Sequence, residues 1–224
     1  MCRPGFGGMW SLRPIVASLL MLGLATTGGR AAEVQVAPES DWGAVVEGAS
    51  AGTAVVFAPG RYSKNCTTEG IAVAGGVTLL GSAGAAATVI DCGGAGRHFT
   101  VGSGASVRIE GLTLALGAAA GGDQSKGGCL LASGVDAALV VTDCVLTECS
   151  AATLGGAIAV REGALLNISR SNLTRNSAGV GGGAIYAAHA LVEMREVVAR
   201  LNTADAGGVI QVKLRVSSSL RFRV

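Results

Sequence analysis

Charge, proline and aromatic rings are all scarce in this sequence. Only 14% of the 224 residues are charged and 4% are aromatic, and there are 4 prolines. Soluble domains usually carry about 25% charged residues and ~5% proline. A chain this poor in charge and yet 50% hydrophobic is not a disordered one, because disorder needs low hydrophobicity and high charge. The shortage of proline, with no glycine at every third position, excludes a collagen triple helix. A net charge of +2 leaves no basic footprint, so no nucleic acid partner is expected. Few aromatics also mean that any core is filled by Val, Ile, Leu and Ala. What is abundant is glycine, with 36 residues, more than twice the usual share of ~7%.

Residues 1–31 read as a secretory signal peptide. Arg3 and Arg13 give a basic start, Ile15 to Ala25 is an apolar run, and Gly29-Arg30-Ala31 fits the small-x-small cleavage pattern, with Ala25-Thr26-Thr27 as second choice. The run is shorter than the roughly 20 apolar residues of a membrane span. No later stretch qualifies, since Leu130 to Leu146 is interrupted by Asp136 and Asp143. No membrane span is therefore expected after signal removal, and the mature chain is expected to be extracellular or at the cell surface (outer membrane or envelope in a bacterium). Cys66, Cys92, Cys129, Cys144 and Cys149 remain, none in a CxxC pair or at zinc-ligand spacing, so neither a metal nor another cofactor is expected. Disulfides suit an oxidising compartment. Asn65, Asn167 and Asn172 head Asn-x-Ser/Thr sequons, glycosylation acceptors in a host that glycosylates.

The body of the chain repeats. Glycine pairs followed by an apolar run begin at Gly127, Gly155, Gly182 and Gly207, spaced by 28, 27 and 25 residues. Within each period a second apolar run follows (Ala138 to Thr142, Leu165 to Ile168, Leu191 to Met194). A third precedes the next glycine pair (Val145 to Thr147, Leu173-Thr174, Val197 to Ala199). Three short strands per period of about 25 residues predict an all-β fold, a right-handed parallel β-helix over residues 53–212, whose coils stack at ~4.8 Å. Ile158, Leu166, Ile168, Leu173, Ile185, Val192 and Met194 are its predicted inward residues. Gly155, Gly156, Gly182 and Gly183 supply turns that a Cβ would strain. Asn176 and Asn202 close successive periods and predict a stacked amide ladder, with Cys149 in the corresponding place one coil earlier.

The ends are expected to differ from the body. Residues 32–52 hold a strand and a capping helix, with Trp42, Val45, Val46 and Ala49 on one helical face and Ser40 or Asp41 as its N-cap. Residues 213–224 form a basic tail in which Arg215, Arg221 and Arg223 alternate with apolar residues. That tail fits either an edge strand closing the tube or, as the preferred reading, a truncated coil. Cys66 and Cys92 lie 26 residues apart, one coil, which brings their Cα atoms to ~4.8 Å, inside the range for a disulfide. Cys144–Cys149 is the second expected pair, leaving Cys129 free.

Thr53 to Tyr62 (TAVVFAPGRY) and Gly76 to Asp91 (GVTLLGSAGAAATVID) resemble the opening coils of pectin-lyase-like right-handed β-helix proteins. Ser171 to Ala187 resembles the repeat of polymorphic outer membrane proteins: an apolar residue, two variable positions, Asn, then GGAI. Leu173, Asn176, Gly182, Gly183, Ala184 and Ile185 match that pattern, as do Leu146, Gly155, Gly156, Ala157 and Ile158 with Cys149 in the asparagine place. The resemblance implies a fold that hosts enzymes, adhesins and inert surface proteins alike.

The enzyme signatures of that group are missing. Neither the Asn-Thr-Asp, Gly-His-Gly and Arg-Ile-Lys motifs of polygalacturonases nor the Asp-Phe-hydrophobic-Phe-Gly motif of pectin methylesterases occurs. Glycoside hydrolysis needs two carboxyls about 5–9.5 Å apart. Asp136 and Glu162, roughly one period apart, are the best catalytic candidates, but both flank turns and read as solvated. Asp143, Glu148, Glu193 and Glu196, isolated or beside arginines, read as a solvated face. His98 and His189 are about three coils apart and read as turn or surface residues. The expected protein is a secreted or cell-surface β-helix without catalysis, serving recognition, adhesion or a wall-associated role, with a polysaccharide or another surface protein as partner. The alternatives are a polysaccharide lyase or glycoside hydrolase, or a fragment of a larger surface protein.

Overall fold

Along Leu165–Ser169 and Leu191–Arg195, and along Ala138–Thr142 except for the additionally buried Thr142, every second side chain is buried, the period-2 alternation of a strand with one face in the core. The buried sets fall in register: Leu139 pairs with Leu166 and then Val192, and Val141 with Ile168 and then Met194. Repeated around the chain, this pairing makes a parallel β-solenoid. The computed structural model describes residues 31–122, 125–206, 208–213 and 220–223; but for Ala31, the expected signal peptide lies outside them. An 8-stranded sheet runs from Ala32–Val36 to Leu220–Arg223, beside two 6-stranded sheets and one of 4 strands. Ile158, Ile185 and Ile210 stack as one column, and all seven residues predicted to face inward are buried.

The structure adds one strand per coil to the three expected. Ala118–Ala119, Ser150–Ala151, Ser177–Ala178 and Thr203–Ala204 form the 4-stranded sheet. Two residues are too short to show alternation in a sequence. In the tail, Leu220–Arg223 pairs in parallel with Leu191–Arg195 at one end of the largest sheet.

The glycine pairs have two jobs. Gly155 and Gly182 sit at φ +69° and +64°, where a side chain is strained. Their successors need space instead: a Cβ on Gly156 would run into the Gly183 carbonyl, and one on Gly183 into that of Thr203. The amide ladder stands one corner earlier, between Asn172–Thr174 and Ser177–Ala178. Asn176 Oδ1 accepts from Cys149 N, its Nδ2 donates to Leu146 O and to Asn202 Oδ1, and Asn202 Nδ2 donates to Leu173 O. Asn176 is fully buried, so Asn176→Ala, which orphans these groups, should lower unfolding free energy by about 2–4 kcal/mol. Urea denaturation will show it, and a loss below about 1 kcal/mol would mean that the ladder is dispensable.

The helix covers residues Trp42–Glu47, with Asp41 accepting from Ala44 N at 3.3 Å. Trp42 and Val46 are fully buried. Trp42 meets Phe57, Tyr62 and Phe99 edge-on at ring distances of 6.0, 6.5 and 6.2 Å. Trp42, Phe57, Tyr62 and Phe99 thus form one aromatic cluster beside the helix.

Cys66 and Cys92 are bridged, with Cα atoms 5.4 Å apart. The second pair differs from expectation: Cys149 bonds to Cys129 (Cα–Cα 5.6 Å), not to Cys144, and Cys144 is the free, buried thiol. Cys144 and Cys149 lie at opposite ends of the extended strand Val145–Thr147, whose three residues span ~10 Å, beyond the reach of a bridge. The residue stacked next to Cys149 is Gly117, and Cys129 Sγ fills the space its side chain would take. Burial pushes the Cys144 thiol up to about 11. Alkylation of the native, unreduced protein should therefore leave all five body cysteines unlabelled, and alkylation after unfolding should label Cys144 alone. Peptide mapping that finds label on Cys129 would contradict the bridge.

Candidate functional site

The alternation that buries one face of the 8-stranded sheet aims the other at solvent. Two outward rows form across successive coils: Arg108, Val140, Asn167 and Glu193 in one, Glu110, Thr142, Ser169 and Arg195 in the other. Over them lies a groove of about 490 Å³, whose lining includes Arg170 at the corner after the strand Leu165–Ser169. Its lining carries three arginines (Arg108, Arg170, Arg195) against one carboxylate, Glu193.

The three arginines are not equally committed. Arg170 Nε and an amino nitrogen donate to both oxygens of Asp143 at 2.8 and 2.7 Å. That side-chain hydrogen bond lowers the Asp143 pKa and raises that of Arg170. Arg108 stands 3.9 Å from Glu110. Arg195 is exposed and makes no ion pair among the described residues. An arginine fork matches a carboxylate or sulfate in two hydrogen bonds. Asn167 and Ser169 add uncharged donors and acceptors, and the buried Thr142 hydroxyl stands 3.4 Å from that of Ser169. Such an open, polar trough suits a hydrated chain laid across several coils.

Glu162 and Asp136 are exposed turn residues at φ +60° and +59°, and neither lines the groove. Glu162 accepts from Ser133 Oγ at 2.7 Å and pairs with Arg161 at 3.2 Å. Ser133 pairs with Arg161 and Ala138 with Leu165, so the turn holding Asp136 is one residue longer and puts it out of register with Glu162. His189 is exposed at a turn, as expected. His98 and Arg97 are not turn or surface residues: both are fully buried. The loop Thr67–Gly70, tied down next to the Cys66–Cys92 bridge, closes over Arg97, something that no local pattern shows.

The sequons occupy three environments. Asn65, at φ +68°, donates Nδ2 to the helix-capping Asp41 at 2.8 Å. Asn172 is exposed on the outer face of the neighbouring sheet, beside a second cavity of about 520 Å³ lined also by Val145, Thr147 and Arg200. Asn167 lies in the groove itself. Sequence reasoning missed the groove because Arg108, Glu193 and Arg195 look like scattered surface charges. The available signal was register: Thr142, Ser169 and Arg195 recur at 27 and 26 residues, each next to the last inward residue of its strand.

Fold and groove define a class, the parallel β-solenoids with a polar trough on one outer sheet. No protein-family model matches the chain, and no curated protein or solved structure does either. Among the described residues no three potential metal ligands come together, and no helix is long and apolar enough to cross a membrane.

Proposed function

We propose that this chain is a secreted or cell-surface recognition protein that binds a polysaccharide along the outer face of its 8-stranded sheet and does not cleave it. The observation that carries this reading is the groove lining, three arginines and several small polar side chains around a single carboxylate, which gives binding groups without the carboxyl pair of glycoside hydrolysis. Two disulfides fit an exported protein. The signal-like leader and the resemblance to pectin-lyase-like and polymorphic outer membrane protein coils point the same way.

The test is a panel of immobilised polysaccharides, acidic and neutral, probed with the chain from a host that does not glycosylate. At least one should be retained, and Arg195→Ala should weaken that binding about tenfold. Release of reducing ends or unsaturated sugars would replace the reading with an enzymatic one. Failure to bind any member would leave another surface protein as the partner class.

A further inference from the structure

Asn167-Ile168-Ser169 is a sequon lying wholly within the strand Leu165–Ser169. In a strand, residues i and i+2 share a face. Ile168 is fully buried, while Asn167 and Ser169 both line the groove. Asn167 sits in the middle of the row, between Val140 and Glu193. Any group attached to its Nδ2 enters the trough between the arginines. Asn172, five residues on, points from a different sheet and lines the other cavity.

We propose that Asn167 is a glycosylation site that closes the groove, so that its occupancy decides whether a molecule can bind ligand; this rests on the groove being the binding face. The transfer joins Asn167 Nδ2 to the anomeric carbon of an oligosaccharide carried on a lipid diphosphate. The diphosphate leaves, and the amide nitrogen loses one proton. In the folded sheet Asn167 is flanked at one strand spacing on either side, so the transfer belongs to the unfolded chain during export. The glycan is then set once, at folding, and sorts molecules into open and closed forms.

The experiment uses the full chain carrying Thr67→Ala and Asn172→Gln, which leaves Asn167 as the remaining sequon, made in a secreting glycosylating host and in a non-glycosylating one. Peptide mass gives occupancy at Asn167. Reaction of Arg108 and Arg195 with phenylglyoxal reads access to the groove without a ligand, and retention on the polysaccharide panel reads binding. The glycosylated fraction should show slower modification of both arginines and about tenfold weaker retention. Absence of glycan at Asn167 in the secreting host would overturn the proposal. So would a glycan there that changes neither arginine reactivity nor retention. If the unglycosylated chain binds no polysaccharide but arginine access still differs, the closing of the groove stands and only the polysaccharide reading fails.

Discussion

Replacing Arg97 with alanine is expected to lower the unfolding free energy by about 3–5 kcal/mol, among the largest effects of any single substitution in this chain. Arg97 has no exposed surface. Its Nε donates to Gly127 O at 2.7 Å, and its two amino nitrogens to Glu69 O at 2.8 Å and Lys126 O at 2.7 Å. One guanidinium thus ties the Thr67–Gly70 loop to the glycine turn of the next coil. Burial, with Arg161 nearby, lowers its pKa to about 10, so it stays charged at neutral pH. Truncation removes a donor from all three carbonyls and strands those of Gly127 and Lys126, while Glu69 O keeps Thr100 Oγ1 at 2.6 Å; charge-assisted bonds contribute ~1.5–3 kcal/mol each. Arg97→Lys should recover only part of the loss, because an ammonium keeps the charge but not the planar fork that reaches three acceptors at once. Urea denaturation at pH 7 measures both. An alanine variant within about 1 kcal/mol of the parent would show that water replaces the clamp.

Acidification should weaken the fold through His98. The ring is completely buried; Nε2 donates to Ile90 O at 2.9 Å, and Nδ1 has no partner at hydrogen-bonding geometry. Desolvation drives the pKa from 6.5 down to about 4, against the opposing pull of the Ile90 and Ala115 carbonyls and Asp91. Because the folded value is the lower one, the unfolded chain binds the extra proton first. The stabilisation is therefore complete above about pH 6.5 and is lost as pH falls towards 4. The gap corresponds to a loss of about 3 kcal/mol by the low end of that window. His98→Leu should flatten the pH dependence of unfolding between pH 6.5 and 4, whatever it does to stability at pH 7. An unchanged slope in the variant would place the acid sensitivity elsewhere, among the carboxylates.

Much of the solenoid was legible because its signals are periodic and local. The glycine-pair spacing, the apolar runs and the positions of Asn176 and Asn202 each reflect a rule that acts on every coil. The Cys66–Cys92 bridge was readable for the same reason, since 26 residues return the chain to the same corner. The second bridge was not. Cys129 and Cys149 are 20 residues apart, less than one period, and meet only because Gly117 leaves room beside them. The groove lay between these extremes: its residues follow the repeat, but their charges vary from coil to coil.

The amino-acid sequence by itself determined the architecture of this protein, because a coil that cannot bury its inward face alone must stack and period-2 alternation decides which face that is. Only the tertiary structure decided which side chains meet across coils: Arg97 with three carbonyls, His98 in a fully buried site, and Arg108, Asn167 and Arg195 around one trough. Those meetings depend on loop closure and register between residues about 30 positions apart, where local propensity carries no information.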